Sequence, residues 1–145
     1  MEHALHIDPT GMTAPQLLEA EIILMTYLDL MRDGETTSAV NINVENIGDV
    51  LEQFQQDHDD YMYENMYALR ESGKPSNIRC EQYSRHYESE EVAYQTKTGH
   101  WIGWTYWHGG GKHGEPEAID WIPHAYFLDI VAEKQVIEYQ FARKQ

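Results

Sequence analysis

Ser72-Gly73-Lys74-Pro75 divides this chain into two unlike halves. A glycine can take the left-handed conformation that closes a helix, and a proline just beyond it cannot continue one. Upstream, apolar residues recur every three or four positions, the helical spacing. Downstream they alternate and fill with aromatics, the pattern of strands.

The helix that ends here starts near Asn43 or Asn46, and its apolar stripe is Ile47, Leu51, Phe54, His58 and Tyr61. Unbroken, about 25 residues would span ~38 Å. That is long for a small domain, and Asp57-His58-Asp59-Asp60 marks a place where it can break. Val40, Ile42 and Val44 alternate ahead of it as a short strand. Further upstream, Thr13, Pro15 and Gln16 form a helix start, with Gln16 three residues after Thr13 as a capping box requires. The run from Leu17 to Met31 is apolar around most of its circumference, which implies burial on several sides. Arg32-Asp33-Gly34 stops it. Residues 1–12 read as a loose arm ending in the turn cluster Asp8-Pro9-Thr10-Gly11.

Beyond residue 77 the pattern predicts strands at 78–87, 91–97, 101–108, 124–131 and 135–143. Lys97-Thr98-Gly99-His100 and Ala132-Glu133-Lys134-Gln135 are short connections. Short connections favour antiparallel pairing, because a parallel crossover needs a dozen or more residues. The expected class is α+β: two N-terminal helices packed on a C-terminal antiparallel sheet of about four to five strands. Its 145 residues suit one domain over 1–145, with the arm at 1–12, the helical part at 13–75 and the sheet part at 76–145.

The chain carries 25 acids against 10 bases, a formal −15. A field of that sign repels DNA, RNA and anionic membrane and attracts basic partners. Its plentiful aromatics argue against the disorder that high net charge often brings. Cys80 is the only cysteine, so an intrachain disulfide is excluded. With no apolar run of spanning length and no leader pattern, the expected setting is cytoplasmic.

Charge is uneven. Residues 1–80 hold 15 acids and four bases, and residues 81–145 hold ten acids and six bases. On the second helix Glu45, Asp49, Glu52 and Asp59 recur at spacings of three and four with Gln56 and Tyr63, and Asp60 lies beside them. Like charges at these spacings destabilise a helix by a few tenths of a kcal/mol per pair. Glu45, Asp49, Glu52, Asp59, Asp60 and Tyr63 are therefore the candidate partner-binding face. The expected function is that of a non-enzymatic acidic protein which binds a basic or nucleic-acid-handling protein. It would act as an inhibitor or nucleic-acid mimic of the kind mobile elements carry.

Two alternatives come from residues 100–124, which hold all four tryptophans and four histidines. In the first, Trp104, Tyr106, Trp107 and Lys112 bind a small ligand by stacking. In the second, His108, His113, Glu115, Glu117, Asp120 and His124 supply metal ligands for an enzyme, although their spacing fits no helix-borne motif. The run Gly109-Gly110-Gly111-Lys112-His113 lacks the hydroxyl that a phosphate-binding loop places after its lysine. No catalytic residue, resident metal or cofactor is assigned. The long helix and the aromatics leave a homodimer open.

Overall fold

The structure, a computed structural model, describes residues 5–35, 40–134 and 137–144. Helix α1 (Ala14–Arg32) forms where the sequence places a cap. The Thr13 hydroxyl accepts from the Gln16 N–H at 3.3 Å, and the Thr13 N–H donates to the Gln16 side chain at 2.9 Å. These two bonds satisfy orphan donors of the first turn. The other end closes with Glu35 N–H donating to the Leu30 carbonyl and Gly34 N–H to that of Met31, the paired bonds of a Schellman motif. Leu17, Leu18, Ile22, Ile23, Tyr27 and Leu30 are all buried. Burial of such side chains contributes roughly 1.5–3 kcal/mol each, so α1 is the element on which the rest packs.

The arm is not loose over its described part. Strand β1 (His6–Ile7) pairs in parallel with β2 (Asn41–Ile42), and Ile42 is fully buried. Met12 joins the same core. The arm holds because it leads a buried methionine into the α1 cap and finds a backbone partner on the way.

The second helical stretch is two helices, α2 (Ile47–Asp57) and α3 (Asp59–Arg70). Between them His58 takes φ −138° and ψ 44°, outside the helical region. The long rod expected from the acidic spacing is therefore broken. Asn43 and Asn46 fix the start of α2 by each accepting the other's backbone N–H, at 2.9 and 2.8 Å. Helix α3 presses Met62 and Leu69 into the core. The Asn65 amide donates to the Thr26 hydroxyl and to the Asp29 carboxylate of α1, both at 3.0 Å.

Four antiparallel strands follow in the order β3 (Lys74–Pro75), β4 (Glu88–Gln95), β5 (Trp101–His108) and β6 (Tyr126–Phe127). The class is α+β. One sheet face, carrying Val92, Ile102 and Trp104, belongs to the same buried cluster as α1. Trp104 lies 4.9 Å from Trp121 and 6.1 Å from Tyr94, ring centre to ring centre. The predicted turn at 97–100 is present, with Thr96 N–H donating to the His100 carbonyl at 2.9 Å.

Three strand expectations are corrected. Residues 78–87 are irregular, since Asn77 at φ 65° turns the chain off the sheet edge and Ile78 and Tyr83 stay exposed. The strand expected at 124–131 shrinks to β6 with one further bond, Leu128 N–H to the Trp101 carbonyl. Its neighbour β5 begins at Trp101, so pairing runs out there. Of the strand expected at 135–143, residues 135 and 136 lie outside the described residues, and 137–143 form no strand. Among the described residues, no helix is long and apolar enough to cross a membrane.

Candidate functional site

The break at His58 builds a groove. It turns the end of α2 against the start of α3 and faces both toward the chain leaving α1. The resulting depression has a volume of about 460 Å³ and is lined by Glu35, Asp57, His58, Asp59, Asp60 and Tyr61, among others. Among the described residues that line it four are carboxylates and none is a lysine or arginine. Asp59 and Asp60 sit in the first turn of α3, where the helix dipole favours negative charge. Asp57 ends α2, where the dipole opposes it, and the Gln53 amide donates to it at 2.6 Å. His58 is half-buried, its ring 5.6 Å from that of Phe54.

At the rim the Tyr61 hydroxyl donates to the Asp33 carboxylate at 2.7 Å. That bond raises the Tyr61 phenol and, together with the Arg32 guanidinium 3.1 Å away, holds the Asp33 carboxyl below its ordinary range. Arg32 is thus engaged by Asp29 and Asp33. Among the described residues, Glu35, Asp59 and Asp60 make no salt bridge. Such an arrangement can hold a guanidinium or ammonium group with several charge-assisted hydrogen bonds.

The sequence-derived partner face divides. Asp59 and Asp60 line the groove; Glu45, Asp49, Glu52 and Tyr63 are exposed elsewhere on the helical layer. Glu35 and Asp57 complete the groove and were not among the expected residues. The four-carboxylate juxtaposition depends on the kink and on the course of the chain after Gly34, and spacing along one helix cannot reveal it.

The residues expected to bind a small ligand do not share one surface. Trp104 is fully buried and has no surface to offer. The Tyr106 hydroxyl donates to the Glu71 carboxylate, and its ring lies 4.6 Å beneath the Arg70 guanidinium. By strand alternation Trp107 stands on the opposite sheet face from both. Lys112 is exposed in a short 3-10 turn, Gly111–His113, beyond β5. The preceding glycines take φ of 69° to 87°, which only glycine adopts freely in succession.

Among the described residues, no three His, Cys, Asp or Glu side chains gather to hold a metal ion. His108 instead faces Glu88 at 3.4 Å, and Glu115, Glu117, Asp120 and His124 are exposed. The side chain of His113 lies outside the described residues.

The outer sheet face carries a second polar constellation absent from the sequence reading. The Glu91 carboxylate is buried and accepts from the Tyr126 hydroxyl at 2.6 Å and the Thr105 hydroxyl at 2.7 Å. Burial, then Glu91 itself, pushes the Tyr126 phenol up. Tyr126 reaches Glu91 by lying across Gly103, where an added Cβ would come within 2.7 Å of its ring. Beside it runs a broader groove of about 730 Å³, where the Lys74 ammonium stands 5.6 Å from the centre of the Trp101 ring. Against known proteins, the chain matches no family model, no curated protein and no solved structure, so these side chains alone carry the functional reading.

Proposed function

We propose that the chain is a non-enzymatic interaction protein that receives a lysine or arginine of a basic protein in the groove at the α2–α3 corner. The observation that carries this reading is the lining itself: Glu35, Asp57, Asp59 and Asp60, with no lysine or arginine among the described residues beside them. The net charge of −15 adds long-range attraction and faster encounter with a positive partner. A protein that handles nucleic acid presents the required arginines and lysines. An acidic surface that meets them would act as inhibitor or mimic, with exposed Tyr63 and Tyr67 of α3 as flanking contacts.

The test is calorimetric titration of the full chain with an arginine-rich peptide. Binding should weaken steeply as salt is raised from ~50 to ~300 mM, because exposed charges are screened beyond a Debye length of about 10 Å at 0.1 M. Neutralising the groove (Asp57→Asn, Asp59→Asn, Asp60→Asn) should lower affinity at least tenfold, or ~1.4 kcal/mol. Neutralising Glu45, Asp49 and Glu52 should lower it less. Equal losses from the two triple variants would reduce the groove to general acidity and remove the proposal.

A further inference from the structure

The described residues after β6 expose an apolar surface that their own chain does not cover. Ile137, Tyr139 and Phe141 are 79%, 77% and 90% exposed, and Val131 is 94% exposed. Among the described residues, no backbone hydrogen bond joins 129–144 to the body. The three side chains alternate with Glu138 and Gln140, so in extended form they share one face. An exposed apolar segment of this kind, with the alternation of a strand, marks an interaction site.

The same molecule offers a place for such a strand. The sheet has two edges. At β3 the edge contains Pro75, which lacks the N–H a partner strand would need. At β6 the outer edge of Tyr126–Phe127 has no partner strand among the described residues and contains no proline. That edge flanks the 730 Å³ groove, where Phe127, Ile130, Val131 and Ile78 supply apolar walls and Trp101 lines the side toward β5.

We infer that this edge and groove receive the 137–143 segment of a second copy of the chain, each copy giving one strand and taking one in a two-fold dimer. Two observations select a second copy. First, the connection Ala132-Glu133-Lys134-Gln135 contains none of the Gly, Pro, Asn or Asp residues that tight hairpins favour. In the structure Asp129–Ala132 and Lys134 line the groove, and among the described residues no backbone hydrogen bond pairs 126–134 with 137–144. Second, charge fits. Residues 134–145 carry three bases, Lys134, Arg143 and Lys144, against one acid, Glu138, in a chain of net −15. This stretch lowers the repulsion between two acidic copies, and the receiving groove, with Lys74, Lys134 and Asp129 on its walls, adds no concentrated negative charge to it, so a second copy meets least repulsion here.

The area suffices. Covering Tyr139 and Phe141 removes on the order of 150–250 Å² per ring. Both copies together thus bury ~600–1,000 Å² from four rings alone. Ile137, Ile130, Val131 and Phe127 bring the total toward the ~1,200–2,000 Å² of a stable interface. Because the interface is isologous, it closes on itself and does not propagate.

The experiment is sedimentation of the full chain across micromolar concentrations, with cross-linking of a one-to-one mixture of ¹⁴N and ¹⁵N chains by an amine-reactive reagent. The expected mass is that of a dimer, with mixed-isotope links joining Lys134 or Lys144 of one copy to Lys74 or Lys97 of the other. Tyr139→Asp with Phe141→Asp should raise the dimer dissociation constant at least ~100-fold while the circular dichroism of the body stays unchanged. An independent variant on the receiving side, Val131→Lys, should weaken it in the same direction. Raising salt should tighten the dimer by screening the two acidic bodies, the opposite of its effect on the arginine-rich peptide. A monomer throughout, same-isotope links only, or a dimer indifferent to Tyr139→Asp with Phe141→Asp would each overturn the inference. Same-isotope links would mean that the segment folds back on its own edge.

Discussion

The Tyr94 hydroxyl donates to the Glu21 carboxylate at 2.6 Å, joining β4 to α1 across 73 residues of sequence. Glu21 is 1% exposed and also accepts the Lys97 N–H at 3.1 Å. A buried carboxylate is costly unless hydrogen-bonded, and here both of its oxygens have a donor. Removing an acceptor strands those donors, so Glu21→Ala is expected to cost about 2–4 kcal/mol. Tyr94→Phe should cost less, about 1–2 kcal/mol at neutral pH. Urea denaturation of both variants checks the order; equal costs would mean that the carboxylate does not organise this contact.

The same bond gives the protein an alkaline limit. Burial and then the Glu21 bond raise the Tyr94 phenol above its ordinary value, and burial and then Glu91 do the same for Tyr126. When a folded-state pKa is raised, the unfolded chain loses its proton first. Stability is then fully present below pH ~10, the unfolded tyrosine value, and falls as pH rises through the folded value. The slope is under ~1.4 kcal/mol per pH unit for each group, reduced further because both phenols are partly solvated. Unfolding free energy measured from pH ~8 to ~11 should be flat at first and decline above pH ~10. The decline should be shallower in Tyr94→Phe. An unchanged slope in that variant would refute the assignment.

Much of the architecture was legible because its signals are local. Thr13 with Gln16, the terminator at Ser72–Pro75, the weak point at Asp57–Asp60 and the turn at 97–100 each depend on residues within a few positions of one another. Other features arise only when distant segments meet. Glu21 sits in an apolar run with nothing nearby to show that it is buried. β6 is short because of where β5 begins, and the pairing of β1 with β2 spans the whole of α1. The candidate site follows the same division. Asp59 came from spacing and Asp60 from lying beside it, whereas the joining of Glu35 and Asp57 to them needed the kink at His58.

Gly103 should be intolerant of any side chain. An added Cβ would lie 2.7 and 2.9 Å from Tyr126 ring carbons, so Gly103→Ala must displace the ring and its bond to Glu91. The expected cost is about 1–3 kcal/mol. In a Tyr126→Ala background the obstacle is gone, and the same substitution should cost close to nothing. A double-mutant cycle on thermal or urea unfolding reads the difference; additive costs would show that Tyr126 is not what excludes the methyl group.

Tyr27 should respond in the opposite way from Tyr94. Its hydroxyl is buried on α1 without a hydrogen-bond partner among the described residues. An unpaired buried hydroxyl carries a desolvation cost of about 1–3 kcal/mol, and Tyr27→Phe removes it while keeping the ring. The variant is expected to be neutral or more stable, by up to ~1 kcal/mol, which corresponds to a few degrees in Tm. A loss of 1 kcal/mol or more would reveal a partner for that oxygen.

Arg70 joins the two layers at the other end of the sheet. It is 4% exposed, donates to the Trp107 carbonyl, pairs with Glu71 at 3.0 Å and lies over the Tyr106 ring. Three partners in different directions suit a planar fork and not a point charge. Arg70→Lys keeps the charge yet cannot reach all three, and should still destabilise by about 1–3 kcal/mol. Arg70→Met removes the charge while covering much of the same apolar surface. If net electrostatics were the main contribution, Arg70→Met should be far worse than Arg70→Lys. Breaking a buried charged contact leaves Glu71 and the Trp107 carbonyl without their donor, a loss of roughly 3–5 kcal/mol in enclosed sites. Glu71 is exposed and water can serve it, so the expected gap between Arg70→Met and Arg70→Lys is under ~1.5 kcal/mol. Chemical denaturation of the two variants decides it, and a larger gap would place the stabilisation in the Arg70–Glu71 pair, not in the anchoring of Trp107.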